Sequence, residues 1–221
     1  MDRRYSYIVF DMDGTLMDTY PGVSYGFSET AKQLGLRTLS EDEMRSVIGP
    51  TLESSFRGLY GLDGDDVSRA LDVLTTKYAT MEGAGNSPLY PGVMDMLKKL
   101  KERGCKISIA TMKPSVFTKI CVSAQGLEGM FDSVRCFEEG TEITKAQLIL
   151  QTLEDMGGSP EQALMVGDTG GDGRGAAQAG LDFAAVTWGF GFRSEADLDE
   201  LPHVVCVDTM EALWNFLQAN T

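Results

Sequence analysis

The chain has 221 residues, 43% hydrophobic and 24% charged, the composition of an ordinary globular protein with room for one large domain or a domain carrying an insert. Acids outnumber bases 33 to 19, and the net charge of −14 argues against a nucleic acid polymer as partner, because phosphate backbones are held by basic patches. A single histidine, His203, removes multi-histidine zinc sites, and Cys105, Cys121, Cys136 and Cys206 form no C-x-x-C pair, so reduced thiols are expected. Arg3-Arg4 leads into no long apolar run; no signal peptide or membrane span is expected, and the cytoplasm is the expected compartment.

Residues 7–10, apolar and β-branched, predict a buried strand. Two acids one residue apart follow it directly, Asp11 and Asp13, then Gly14 and Thr15. From Tyr20-Pro21 the pattern turns helical: one helix to Leu34 with Gly35 as its stop, a capping box at Ser40-Glu41-Asp42-Glu43, a helix capped by Thr51, and helical spacing of Val67, Ala70, Leu71, Leu74, Tyr78 and Met81. Nothing between Asp18 and Gly85 reads as a strand. An all-helical cap at 18–87, inserted into an α/β core of 1–17 and 88–221, is therefore expected. From Tyr90 a βα rhythm sets in. Strands are predicted at 106–110, 131–134, 163–166, 183–186 and 204–207, and helices through Val93 to Leu100, Val116 to Ala124, Lys145 to Met156, a short one from Gly175, and a last one through Leu213 to Leu217. Such alternation means a doubly wound parallel sheet.

Polar residues end three of these strands: Asp11 and Asp13, then Thr111, then Asp168. Strand ends in a parallel sheet share one edge, where ligands bind in open α/β folds. Three carboxylates and a hydroxyl suit a hard divalent cation, and Mg²⁺ fits better than Ca²⁺ because it takes few carboxylates and keeps water and phosphate oxygens. Gly170-Gly171-Asp172-Gly173-Arg174-Gly175 reads as a tight turn around this site rather than a dinucleotide loop, since Asp168 stands where pyrophosphate would sit.

The run Asp11-Met12-Asp13-Gly14-Thr15 resembles the first motif of the haloacid dehalogenase-like superfamily, in its phosphatase branch. The resemblance implies that Asp11 is a nucleophile and Asp13 a general acid/base. Thr111 resembles the second-motif hydroxyl residue, Lys145 the third-motif lysine, and Gly167-Asp168 with Asp172 the fourth motif. It further implies that Asp168 ligates metal beside Asp11 and Asp13, the latter through its backbone carbonyl, and that Asp172 supports the ligands. Lys113, two residues after Thr111, competes with Lys145, which is preferred because it opens a helix after a loop. Dehalogenases of this superfamily lack the second Asp, and its mutases carry a His where this chain has Val23. A small phosphorylated metabolite is the implied substrate, in the manner of phosphoglycolate phosphatase-like members, with Thr111, Met112, Lys145, Arg45 and Gly49 on the substrate side. A phosphomutase, or less well a phosphoryl-accepting regulator, is the alternative; a monomer or small homo-oligomer is expected.

Overall fold

A computed structural model describes residues 4–48, 51–138 and 140–221. Among them, Tyr7–Phe10 (β1), Lys106–Pro114 (β2), Ser133–Phe137 (β3), Ala163–Gly167 (β4), Asp182–Val186 (β5) and Val205–Val207 (β6) form one sheet in the order β3-β2-β1-β4-β5-β6. Every neighbouring pair is parallel. The helices are Tyr20–Leu34 (α1), Glu41–Arg45 (α2), Leu52–Tyr60 (α3), Gly64–Tyr78 (α4), Val93–Glu102 (α5), Ser115–Ala124 (α6), Lys145–Met156 (α7), Gly170–Ala179 (α8) and Met210–Asn220 (α9). The two central strands read as unbroken apolar runs because both faces are covered: Ile8, Val9, Phe10, Leu164, Met165 and Val166 are wholly buried. The chain winds outward from β1 through β2 to β3, returns to β4 on the other side of β1, and winds outward again. The order therefore reverses between β1 and β4, the switch point where such sheets open a crevice at their carboxyl ends.

Two units divide the chain. One comprises the chain up to Asp18, Leu89–Ser115 and Leu127–Thr221, and holds the sheet; Met17 bridges Asp13 and Leu89 where this unit is left and re-entered. The other comprises Thr19–Pro88 and Val116–Gly126 and is helical. Within it α1 and α4 approach closely at Gly26, where a Cβ would press on Leu74 and Tyr78. Phe27 stacks on Phe56 at 5.0 Å between ring centres. Tyr78 meets Phe117 at 4.6 Å, and the Cys121 thiol donates to the Ala84 carbonyl at 3.0 Å. These contacts explain why residues 116–126, which by sequence belong to the βα alternation, group with the helices.

Three elements differ from the sequence reading. The second strand runs on past residue 110 to Pro114, with a register shift against β3 between Thr111 and Pro114. Bulged ends of this kind re-aim side chains beside sites. The third strand starts at Ser133 and ends at Phe137, later than 131–134. Asp132 is tied off below it, accepting the Ile107 N–H at 2.9 Å and paired with Lys101. The glycine run 170–175 is not a turn but the start of α8. Thr169 caps it reciprocally with Asp172, which overrides the poor helix propensity of glycine.

Candidate active site

Asp11 leaves β1 with its N–H bonded to the Val166 carbonyl of β4 at 2.9 Å, so it stands at the switch point itself. Its carboxylate is buried and accepts from the Lys145 ammonium, 2.5 Å from Oδ1. Lys145 is the first residue of α7, whose start is locked by the Thr144–Gln147 capping box. The same ammonium meets Asp172 Oδ1 at 2.7 Å. Asp172 is fixed on its other oxygen by the Thr169 N–H at 3.1 Å and hydroxyl at 2.7 Å. Gly175 of α8 leaves the room Lys145 occupies: a Cβ there would lie 2.7 Å from the lysine Cγ.

Asp168, at the end of β4, is wholly buried. Oδ2 accepts the N–H of Phe190 at 2.7 Å and of Gly191 at 3.2 Å, and Oδ1 accepts the Thr15 hydroxyl at 3.3 Å. Carboxylate oxygens of Asp11, Asp168 and Asp172 all lie within 4.8 Å of one another, a group able to hold a metal ion. Asp13 is set apart. Its Oδ2 pairs with Lys113 at 3.0 Å, while its Oδ1 is buried without a hydrogen-bond partner among the described residues. Thr111 is buried on β2, its hydroxyl accepting the Lys113 N–H at 3.2 Å. Strand alternation turns Met112, 45% exposed, away from these two buried neighbours.

Burial pushes the Asp11 carboxyl up; the Lys145 charge pulls it back, and Asp172, Asp168 and Asp13 push it up again. Burial likewise lifts Asp168, to about 6, with Asp172 adding to the rise and the Phe190, Gly191 and Thr15 donors opposing it. Burial alone would lower Lys145, but Asp11 and Asp172 overcome it and hold the ammonium charged. Four carboxylates, Asp11, Asp13, Asp168 and Asp172, meet two ammoniums, Lys113 and Lys145. With all four ionised, two negative charges are in excess, which a divalent cation offsets, and the all-oxygen donor set suits a hard one.

The structure thus brings Asp11, Lys145, Asp168 and Asp172 into one cluster, with Thr111 and Asp13 each linked to Lys113. Of the two lysines weighed as alternatives, Lys145 meets Asp11 and Lys113 meets Asp13. Arg45 belongs to the helical unit, where it pairs with Glu41 at 2.9 Å and lies over the Tyr20 ring. Gly49 lies outside the described residues. Sequence reasoning named Thr15 only as part of its motif and overlooked the segment 188–191 that grips Asp168; the clue was the Gly189-Phe190-Gly191 run shortly after a predicted strand.

The family model for haloacid dehalogenase-like hydrolases matches residues 8–186. A phosphoglycolate phosphatase of Rhodobacter capsulatus is 30% identical, covering 93% of this chain and 94% of its own. The tyrosine-protein kinase PtkA of Mycobacterium tuberculosis is 28% identical over 93% of this chain and 72% of its own. Among solved structures, a haloacid dehalogenase-like family hydrolase from Streptococcus pneumoniae superposes with a TM-score of 0.84 at 31% identity, covering 96% of this chain and 99% of that one. The chain belongs to the haloacid dehalogenase-like hydrolases. Within that family it is a phosphatase, a phosphoric monoester hydrolase. No described helix is long and apolar enough to cross a membrane.

Proposed function

We propose that this enzyme hydrolyses a small phosphorylated metabolite, with Mg²⁺, through a phosphoryl group carried on Asp11. The observation behind this reading is Asp11 itself: a buried carboxylate at the switch point, held by Lys145 at 2.5 Å and flanked by Asp168 and Asp172. A phosphate monoester is a dianion and repels an attacking carboxylate. Lys145 and the Thr111 hydroxyl offset that charge as it builds in the transition state. Asp11 attacks phosphorus in line, the ester P–O bond breaks, and Asp13 gives its proton to the leaving oxygen. Asp13 then takes a proton from water, the water oxygen attacks phosphorus, and the bond to Asp11 breaks to release inorganic phosphate. The buried, unpartnered Oδ1 of Asp13 suits a group that must exchange a proton with ligands rather than with the protein. Asp11 and Asp168, with the Asp13 backbone carbonyl, would hold the cation, and Asp172 would keep Lys145 and the α8 start in place. When bound, Mg²⁺ supplies Lewis-acid charge neutralisation at the phosphoryl oxygens.

Phosphoglycolate, a sugar phosphate and a nucleotide-like ester all fit this chemistry; a phosphoglycolate phosphatase among the relatives favours the first. Choice among them falls to the helical cap in this reading, with Arg45 as its cationic residue, while Met112, turned away from Thr111 and Lys113, is left without a part in it. A mutase is the weaker reading because Val23, buried in α1, offers no proton-transfer group. The decisive assay follows inorganic phosphate from a panel of small esters. Steady release in Mg²⁺, without a bisphosphate activator and abolished by EDTA, is expected. Faster interconversion of two sugar phosphates would make it a mutase. Transfer to a protein tyrosine in place of water would align it with the relative named as a kinase.

A further inference from the structure

The segment after β5, Trp188-Gly189-Phe190-Gly191, takes no part in the chemistry above, yet it meets Asp168 more often than any motif residue does. Phe190 and Gly191 donate their N–H groups to Asp168 Oδ2, and Phe192 donates to the Asp168 carbonyl at 2.8 Å. Gly189 lies so close that any Cβ would collide with Asp168 Oδ2 and the Gly14 carbonyl. The Trp188 indole N–H donates to the Thr15 carbonyl at 3.2 Å, and the Thr15 hydroxyl donates to Asp168 Oδ1. These bonds close a circuit from Asp168 through Thr15 and Trp188 to Phe190 and back to Asp168. The indole edge is propped by Tyr90, its ring centre 6.4 Å away, and the Tyr90 N–H bonds the Leu16 carbonyl at 3.0 Å.

A carboxylate oxygen has two lone-pair positions. On Oδ2 both are taken by N–H donors; on Oδ1 the Thr15 hydroxyl takes one. Among the described residues this leaves one position, on Oδ1. We propose that Trp188 is a positioning residue: through Thr15 it fixes the Asp168 carboxylate so that it meets the cation through Oδ1 alone, and so sets affinity and the preference for Mg²⁺ over Ca²⁺. This rests on the metal-dependent reading above. The physical ground is that Mg²⁺ demands near-octahedral geometry, whereas Ca²⁺ accepts either one or both oxygens of a carboxylate in a flexible shell. A carboxylate that cannot rotate to offer both oxygens favours the smaller ion.

The test measures cation binding by titration calorimetry on the full chain without substrate, so no turnover enters. Wild type is compared with Trp188→Phe, which keeps the ring against Tyr90 and removes only the N–H, with Thr15→Val, which removes the hydroxyl, with the double variant, and with Asp168→Asn. Removal of partners behind metal ligands typically weakens affinity by roughly 10–100-fold. We expect Trp188→Phe and Thr15→Val each to weaken Mg²⁺ binding by about 10-fold. Both should narrow the Mg²⁺/Ca²⁺ ratio, and the double variant should add little to either single one because both break one circuit. A purely structural role would lower the melting temperature and leave the Mg²⁺/Ca²⁺ ratio unmoved. If Asp168→Asn loses Mg²⁺ while both ring variants bind both ions as wild type does, the positioning proposal fails and the metal reading stands. If one variant does not fold, the other decides. If wild type binds no Mg²⁺, the metal reading is overturned and the proposal with it.

Discussion

Asp11 depends on Lys145 in a way their positions 134 residues apart would not suggest, whereas Lys145 has Asp172 as a second partner. Neutralising either has opposite consequences for stability. Lys145→Met leaves Asp11 and Asp172 buried without their counter-charge, and breaking a buried pair from one side costs about 3–5 kcal/mol. Urea unfolding in EDTA should show that loss, with turnover gone as well. Asp11→Asn removes one negative charge from a cluster that has two in excess, and Lys145 keeps Asp172. That variant should unfold in EDTA no earlier than wild type while its turnover drops by on the order of 10⁴-fold or more. An Asp11→Asn protein with full activity would end its assignment as nucleophile. A Lys145→Met protein as stable as wild type would mean that the paired charges are not compensating one another.

Helix α7 joins the candidate site to the sheet edge. Its first residue is Lys145; near its far end, Asp155 receives the Arg135 guanidinium of β3 through both oxygens, at 2.6 and 2.7 Å, and the Ser133 hydroxyl at 2.6 Å. The Arg135 bond, then the Ser133 bond, hold the Asp155 carboxyl down at about 2, from an ordinary 3.8. A depressed acid stabilises the fold above its unfolded pKa and loses that contribution as pH falls toward the folded one. The bridge therefore acts fully above about pH 4 and fades toward pH 2. It is solvent-facing, so its worth is at most about 1 kcal/mol. Asp155→Asn should lower the urea midpoint modestly at pH 7, and the difference from wild type should vanish near pH 2. A gap that persists at pH 2 would show that the side chain acts through packing and not through charge.

Across the whole chain, the helical insert carries the choice of substrate in this reading, while the sheet unit carries the chemistry. Replacing residues 20–85 by a short linker should thus cost far more activity on a metabolite than on a small aryl phosphate, whose good leaving group needs less help from Asp13. The trimmed protein must also lose an apolar contact surface, because Phe117 and Cys121 of α6 pack on Tyr78 and Ala84. Phe117→Ser in the trimmed chain is expected to keep it from aggregating. Equal loss on both kinds of ester, in a trimmed protein that is folded by circular dichroism, would remove the cap from the specificity argument.

Much of this was local information. The apolar runs at 7–10 and 163–166 read as buried strands and are found as Tyr7–Phe10 and Ala163–Gly167, and Gly35, Gly126 and Gly180 marked helix ends by chain chemistry alone. Asp11, Thr111 and Asp168 could be expected at one edge because parallel strands end together there, and the Asp11 and Asp168 carboxylates do lie within 4.8 Å of each other. What stayed hidden depended on partners distant in the chain. The edge strand β3 needs no apolar alternation, since Arg135 is satisfied by Asp155 on another element, so its bounds could not be read from pattern. The glycines of α8 look like a turn until Thr169 and Asp172 cap them and Lys145 fills the space beside Gly175. Lys113 and Lys145 cannot be told apart by spacing, because which acid each ammonium meets depends on where β2 and α7 end in space, 3.0 Å from Asp13 and 2.5 Å from Asp11. A strand or a helix end is set by a few neighbouring residues, but a buried charge is held only by whatever the fold places against it.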